Sequence, residues 1–258
     1  MPLYPCFDPS TGASGGTAPS PVTPATGAPI QVIDTDMSGA DQDFSTTVGD
    51  VVIDGVTWHT VNDDPSLAIA EAAGTRVVSD SSGYAYYLIT QIPDVSAGDY
   101  ICVSLKWEPI VMGDNGQTFQ LRLAQAKTTD TVYDLVMTLK RLASNWRCRH
   151  GYFTSYTMAY MGDAPWSATL PGACVMMLTG SGYSWQTSCT TATAKPAFRS
   201  LPVSANAGGS LRARGAGQTQ GDTLPHYQWL KVLVGPDSAD IEVRITDVQV
   251  WVGAKVVS

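Results

Sequence analysis

The chain has 258 residues, enough for one large β-sandwich or two small domains that bury a core without disulfide or metal staples. Charged residues make up only 15%, against roughly 25% in ordinary soluble domains, so much of the surface must be Ser, Thr, Gln, Asn and Gly. The formal net charge of -8 disfavours general wrapping of nucleic acid, and no run reaches the roughly 18 apolar residues of a membrane span.

Residues 1–29 differ from the rest. The stretch STGASGGTAPSPVTPATGAP has almost no apolar content and cannot form a core of its own. Its apolar tip, with Leu3, Tyr4 and Phe7, is wasteful in a free tail and useful in an arm that anchors on a neighbouring subunit. The same opening lacks the basic start and apolar core of a secretory signal, so assembly in a cytoplasm is expected.

From Ile30 the pattern turns to strands. In VVIDGVTWHTV, Asp54-Gly55 between two β-branched runs predicts a type I′ hairpin pairing 51–53 with 56–61. In DDPSLAIAEAAG, Asp64 can cap, Pro65 suits a first helical position and Gly74 can end a helix, which predicts a short helix over about 65–73. Strands are expected over Tyr84–Thr90 and Tyr100–Trp107, the second with Ile101, Val103, Leu105 and Trp107 inward and Ser104 and Lys106 away. Gln117–Gln125 repeats the pattern, with Phe119, Leu121 and Leu123 inward and Gln120 and Arg122 outward.

Residues 131–142 fit helical and strand spacing equally, and their strand flanks decide for strand. Further strands are expected near 145–150, 152–160, 173–178 and 183–189, a loop at MGDAPWSATLPG, and a long polar loop over 200–224. Two strands, Tyr227–Val234 and Asp240–Val252, close the chain. In the last, Ile241, Val243 and Ile245 alternate on odd positions but Val248, Val250 and Val252 on even ones, which predicts a β-bulge or corner at Thr246-Asp247. The expected fold is all-β: an antiparallel, jelly-roll-like sandwich over 30–258 with the extended N-terminal arm and at most one short helix. A two-sheet immunoglobulin-like array is the alternative.

Catalytic and metal signatures are missing. His59, His150 and His226 are far apart and outside any metal motif, and there is no GxSxG elbow, Walker loop or dinucleotide fingerprint. The five cysteines, an odd number without a CxxC pair, argue against a zinc site or a disulfide framework, although Cys174 and Cys189 flank a plausible hairpin and could pair. Asp240 and Glu242, the one local carboxylate pair, read as a solvated edge before they read as glycosidase acids. Asp34, Asp36, Asp41 and Asp43 cluster without the EF-hand pattern. No cofactor, no metal and no hydrolase activity are expected.

Partner-binding candidates remain. Arg147 and Arg149 share one strand face and suit an acidic neighbour or an anionic glycan. Trp166, in its Pro-Trp loop, is the best exposed aromatic for a subunit or sugar contact. The arm, the low-charge β region and the closing YQWLKVLVGPDSADIEVRITDVQVWVG resemble accessory structural proteins of tailed bacteriophages: head decoration proteins, head fibres and tail adaptors. The resemblance implies a non-enzymatic virion protein, a homo-oligomer and often a trimer, bound to other virion proteins; the arginine face and the aromatics add host-surface glycan as a further partner, while net charge and hydropathy leave out nucleic acid and membrane. The alternatives are a carbohydrate-binding module or lectin-like adhesin, and a sandwich-fold glycan-degrading enzyme.

Overall fold

The structure, a computed structural model, describes residues 29–44, 49–61, 67–79, 86–95, 99, 101–112, 116–127, 134–142, 145–154, 157–167, 174–180, 184–191, 211–214, 226–235 and 240–253. Among them no helix occurs, and the strands in chain order are β1 Ile30–Thr35, β2 Gln42–Asp43, β3 Gly49–Ile53, β4 Val56–Val61, β5 Leu67–Glu71 and β6 Gly74–Ser79. Then come β7 Tyr86–Gln91, β8 Ile101–Val111, β9 Thr118–Ala124, β10 Leu135–Leu142, β11 Asn145–Thr154 and β12 Thr157–Ser167. The remaining strands are β13 Cys174–Gly180, β14 Ser184–Thr191, β15 Leu211–Arg214, β16 Trp229–Gly235 and β17 Ile241–Val252.

They form two antiparallel sheets. Sheet A runs β15-β14-β13-β8-β17-β6-β5-β2, with β1 also on β17, and sheet B runs β12-β11-β10-β9-β16-β7-β4-β3. Consecutive strands β6/β7, β8/β9 and β16/β17 fall in opposite sheets, so the chain wraps between layers as a jelly roll does. The core lies between them. Leu105, Trp107, Val243 and Val250 from sheet A meet Phe119, Leu121, Val232 and Met137 from sheet B, all buried. Trp107 stacks on Phe119 with ring centroids 4.4 Å apart and planes at 15°, joining β8 to β9 across the sandwich. Such a pair adds about 0.5–1.5 kcal/mol beyond its buried area.

The predicted hairpin is present: Ile53 pairs with Val56, and Asp54 and Gly55 take φ of 47° and 75°, both positive as a type I′ turn needs. The bulge in the last strand is also present. Ile245 faces Trp107 and Asp247 faces Lys106, which leaves Thr246 as the extra residue and keeps Val248, Val250 and Val252 in the core. It sits where β17 changes neighbours, from β6 over 241–245 to β1 over 248–252.

Several expectations are corrected. In place of the helix over 65–73, residues 67–73 hold strand β5 and a turn at 72–73, with β6 following from Gly74, and residues 65 and 66 lie outside the described residues. The cap-like residues lost to pairing: Ile69 and Ala70 join both β2 and β6. The break foreseen after 150 is absent, because β11 runs unbroken to Thr154 on a continuous register with β10. The loop foreseen at MGDAPWSATLPG is largely strand, since β12 continues through Ser167. The 200–224 loop contains β15, which covers the edge of β14, and the rest of that stretch lies outside the described residues. Cys174 is a buried thiol and stands opposite Thr191, whereas Cys189 stands opposite Met176, so the suggested pairing is out of register.

Ser104, Gln120 and Arg122 do face away from the core, yet all three are buried. The outer faces of the central strands are therefore not the open, charged surface that an alternating pattern suggests.

Candidate functional site

The β3–β4 hairpin sends Val51, Ile53, Trp58 and Thr60 inward, which leaves Asp50 and His59 directly opposite each other on the outside of sheet B. His59 Nδ1 lies 2.9 Å from Asp50 Oδ1, and because an ionised carboxylate can only accept, Nδ1 is the donor. Lys127, just past β9, donates from Nζ to the same oxygen at 3.3 Å and lies 5.8 Å from the centre of the Trp229 ring. Trp229 opens β16 between Gln91 of β7 and Ala124 of β9. Thr90 Oγ1 donates to the Thr57 carbonyl at 2.9 Å and ties β7 to β4 beneath.

These side chains line an open groove of about 540 Å³, with Val32, Val56, Ile89, Pro93 and the Trp229 ring as its apolar part. Asp50 is well exposed, and its carboxyl is held below the ordinary carboxylate range, first by the His59 hydrogen bond and then by that from Lys127. Its second oxygen, the Gln91 amide and the Thr57 hydroxyl supply acceptors and donors beside an apolar wall. That combination can orient a small polar ligand.

The candidates from the sequence fall elsewhere. Leu3, Tyr4 and Phe7 lie outside the described residues. Arg147 and Arg149 share the outer face of β11, half-buried, with four strands between β11 and β4. Trp166 is the extra residue of a bulge: Trp146 pairs with Ser167 and Arg147 with Pro165, so it belongs to a strand and not to a loop, with its side chain outside the described residues. Glu242 serves an ion-pair ladder. Arg76 Nη1 bonds Glu242 Oε1 and Arg76 Nε bonds Glu71 Oε1, each at 3.0 Å, and Arg244 reaches Glu71 and Glu108 at 3.7 and 3.6 Å. Of the aspartate cluster, Asp34 accepts from Gln249 and Asp36 from the Ser38 backbone, and among the described residues no three His, Cys, Asp or Glu converge as metal ligands.

Asp50, Gln91, Lys127 and Trp229 were not singled out by sequence. One signal existed: extending the predicted hairpin register by one pair puts Asp50 opposite His59. Lys127 and Trp229 are 77 and 179 residues further on than Asp50 in the chain and arrive only through the order β9-β16-β7.

Fold and groove together define an antiparallel two-sheet β-sandwich with an open groove lined by polar and aromatic side chains. No family model matches the sequence, and no curated protein matches it. Among solved structures, the VIP36 exoplasmic/lumenal domain in its Ca²⁺-bound form is similar at 10% identity over 78% of this chain and 90% of that chain, with a TM-score of 0.51. The same domain bound to Ca²⁺ and Man3GlcNAc is similar at 8% identity over 78% of this chain and 84% of that one, with a TM-score of 0.53. A carbohydrate esterase from the Shiga toxin-encoding bacteriophage phi24B superposes at a TM-score of 0.48 with 8% identity, covering 88% of this chain and 100% of that one, too loosely to carry an argument. At these identities the likeness to VIP36 establishes the sandwich fold alone.

Proposed function

We propose that this chain is a non-enzymatic recognition protein that binds glycan in the groove beside Trp229 and is displayed on a tailed-phage particle. The groove carries the reading. Its volume, about 540 Å³, suits one or two sugar rings. Trp229, Ile89 and Pro93 offer an apolar wall for the C–H face of a sugar, while Asp50, Gln91 and Thr57 meet its hydroxyls. His59 and Lys127 hold the Asp50 carboxylate before any ligand arrives, which lowers the ordering cost of binding. Among the described residues that line the groove Asp50 is the one carboxylate, and it is shared by the His59 ring and the Lys127 ammonium. Glycoside hydrolysis asks for two carboxylates across a cleft.

The test is equilibrium binding to a panel of neutral oligosaccharides, with a reducing-sugar assay on the same panel. Binding should weaken about tenfold in Trp229→Ala and in Asp50→Asn, the loss of one good contact each. Absence of binding to every glycan, or sugar release by the wild type that Asp50→Asn abolishes, overturns the reading.

Placement on a virion, in a homo-oligomer, rests on the Pro/Gly/Ser/Thr arm, the low charge content and the phage resemblance. The arm supplies Leu3, Tyr4 and Phe7 as anchors, each returning about 1.5–3 kcal/mol when buried against a neighbour. A chain lacking residues 1–29 should fold and fail to join the particle. Its incorporation at wild-type occupancy would leave the arm no attaching role.

A further inference from the structure

A sheet edge is a row of unpaired backbone donors and acceptors, which proteins blunt with short strands, bulges, proline or charge. Most described edges of this sandwich follow that rule. β2 is two residues long, and β15 has four and carries Arg212 and Arg214. β12 holds Asp163 and Pro165 and is bulged at Met161 and Trp166, and β1 is bulged at Val32. β3, the last strand of sheet B, differs: Gly49–Ile53 lies on β4 in one unbroken register, without proline or bulge. Its one charge, Asp50, is engaged by His59 and Lys127.

The hairpin decides which groups of β3 stay unpaired. In a two-residue type I′ hairpin the closing pair, Ile53 with Val56, exchanges both backbone hydrogen bonds, and the ladder alternates from there. Val51 with Trp58 and Gly49 with Thr60 are thus bonded pairs, while the N–H and C=O of Asp50 and Val52 point away from β4. Among the described residues nothing takes up these donors and acceptors. Val52 is 60% exposed, after Ile30 the most exposed of the described large apolar side chains.

We propose that β3 is the contact between two copies of this chain, paired antiparallel across a two-fold axis at Val51. The register follows by elimination. Setting Asp50 opposite its own copy puts like charges face to face, and setting Val52 opposite its own copy pairs Asp50 with Asp54, a turn residue at φ 47°. The register between them sets Asp50 opposite Val52 of the second copy, so that each copy's free donors meet the other's free acceptors. Val51, 7% exposed at the rim of the core, then faces its own copy and carries the core across the seam. An edge that is its own complement after a half-turn is what a two-fold contact requires. The pairing joins two copies of sheet B with their outer faces on one side, and the two β4 strands lie three strand spacings, about 14 Å, apart. Two Trp229 grooves then face the same way, which favours clustered glycan through effective concentration. The contact specifies the homo-oligomer of the proposed function and rests on that reading only in requiring one to exist.

The experiment is sedimentation equilibrium of the full chain across micromolar concentrations. The wild type should pass from 27.4 kDa to twice that mass. Val52→Pro should raise the dimer Kd about a hundredfold, because each dimer loses a donor from both copies and gains two rings at the seam. Its far-UV circular dichroism should stay that of the wild type, because the lost N–H points away from β4. Val52→Asp, opposite Asp50 in this register, should dissociate the dimer as well, whereas Val52→Lys should keep it through an ion pair with that Asp50. If the proline unfolds the hairpin, the two charge variants decide alone. A wild type that stays at 27.4 kDa overturns the contact together with the homo-oligomer. An oligomer that every variant leaves unchanged overturns the β3 contact alone, and one that Val52→Asp and Val52→Lys weaken alike overturns its register.

Discussion

Gly74 offers the sharpest test of how the sandwich is built. It begins β6 at φ +113°, opposite Glu71 across the turn from β5. A Cβ at this position would lie 2.5 Å from the Ile245 carbonyl oxygen, 3.2 Å from Thr246 Cα and 3.3 Å from the Ile245 carbonyl carbon. All three are backbone atoms at the bulge of β17, so no side chain can swing aside. In Gly74→Ala the disfavoured φ costs roughly 1–3 kcal/mol. Pushing β6 off the bulge costs a further 1–3 kcal/mol or so. The total of about 2–6 kcal/mol is a large part of the roughly 5–15 kcal/mol that holds a domain folded. With a urea m-value of about 3 kcal/mol/M, the midpoint of unfolding, followed by tryptophan fluorescence, should fall by about 0.7–2 M. Gly49→Ala is the control: φ there is +140° but nothing lies within 4 Å of the added carbon, so only the backbone cost applies. A Gly74→Ala midpoint no lower than that of Gly49→Ala would refute the close approach of β6 to the bulge.

Three other outcomes are expected. The Asp50 carboxyl should titrate below the ordinary value of about 3.9. Because the folded-state value is the lower one, the stabilisation by His59 and Lys127 is present above the unfolded value and lost as pH falls through the folded one. Carboxyl ¹³C NMR should show the midpoint rising in His59→Gln and rising less in Lys127→Met, and an unmoved midpoint in both would count against the pairing. In the ladder outside sheet A, Arg76→Ala should cost about 1 kcal/mol, and a double-mutant cycle with Glu242→Ala should give a coupling of about 0.5 kcal/mol, modest because both groups are partly exposed to water; additive effects would deny the bond. Burial pushes the Cys174 thiol up to about 12, so iodoacetamide at pH 8 should label it only after unfolding, and mass spectrometry that finds it alkylated in the native protein would contradict its burial.

The features legible in the sequence are those that depend on neighbours a few residues apart. Asp54-Gly55 fixes its hairpin because both positions need positive φ, and the phase change from Ile245 to Val248 marks the bulge because a period of two cannot shift without an extra residue. Alternation likewise picked out Ile101, Val103, Leu105 and Trp107 as core. Tertiary pairing decided the rest. The segment around Ile69 has helix-like punctuation at both ends, and only the ladders to β2 and β6 make it a strand. Gly74 reads locally as a helix stop, yet its reason is a backbone carbonyl 171 positions away. The groove follows the same logic: the hairpin register could have placed Asp50 against His59, but Lys127 and Trp229 come from distant strands. Their arrival depends on the order in which long-range strand pairs close, which no local pattern encodes.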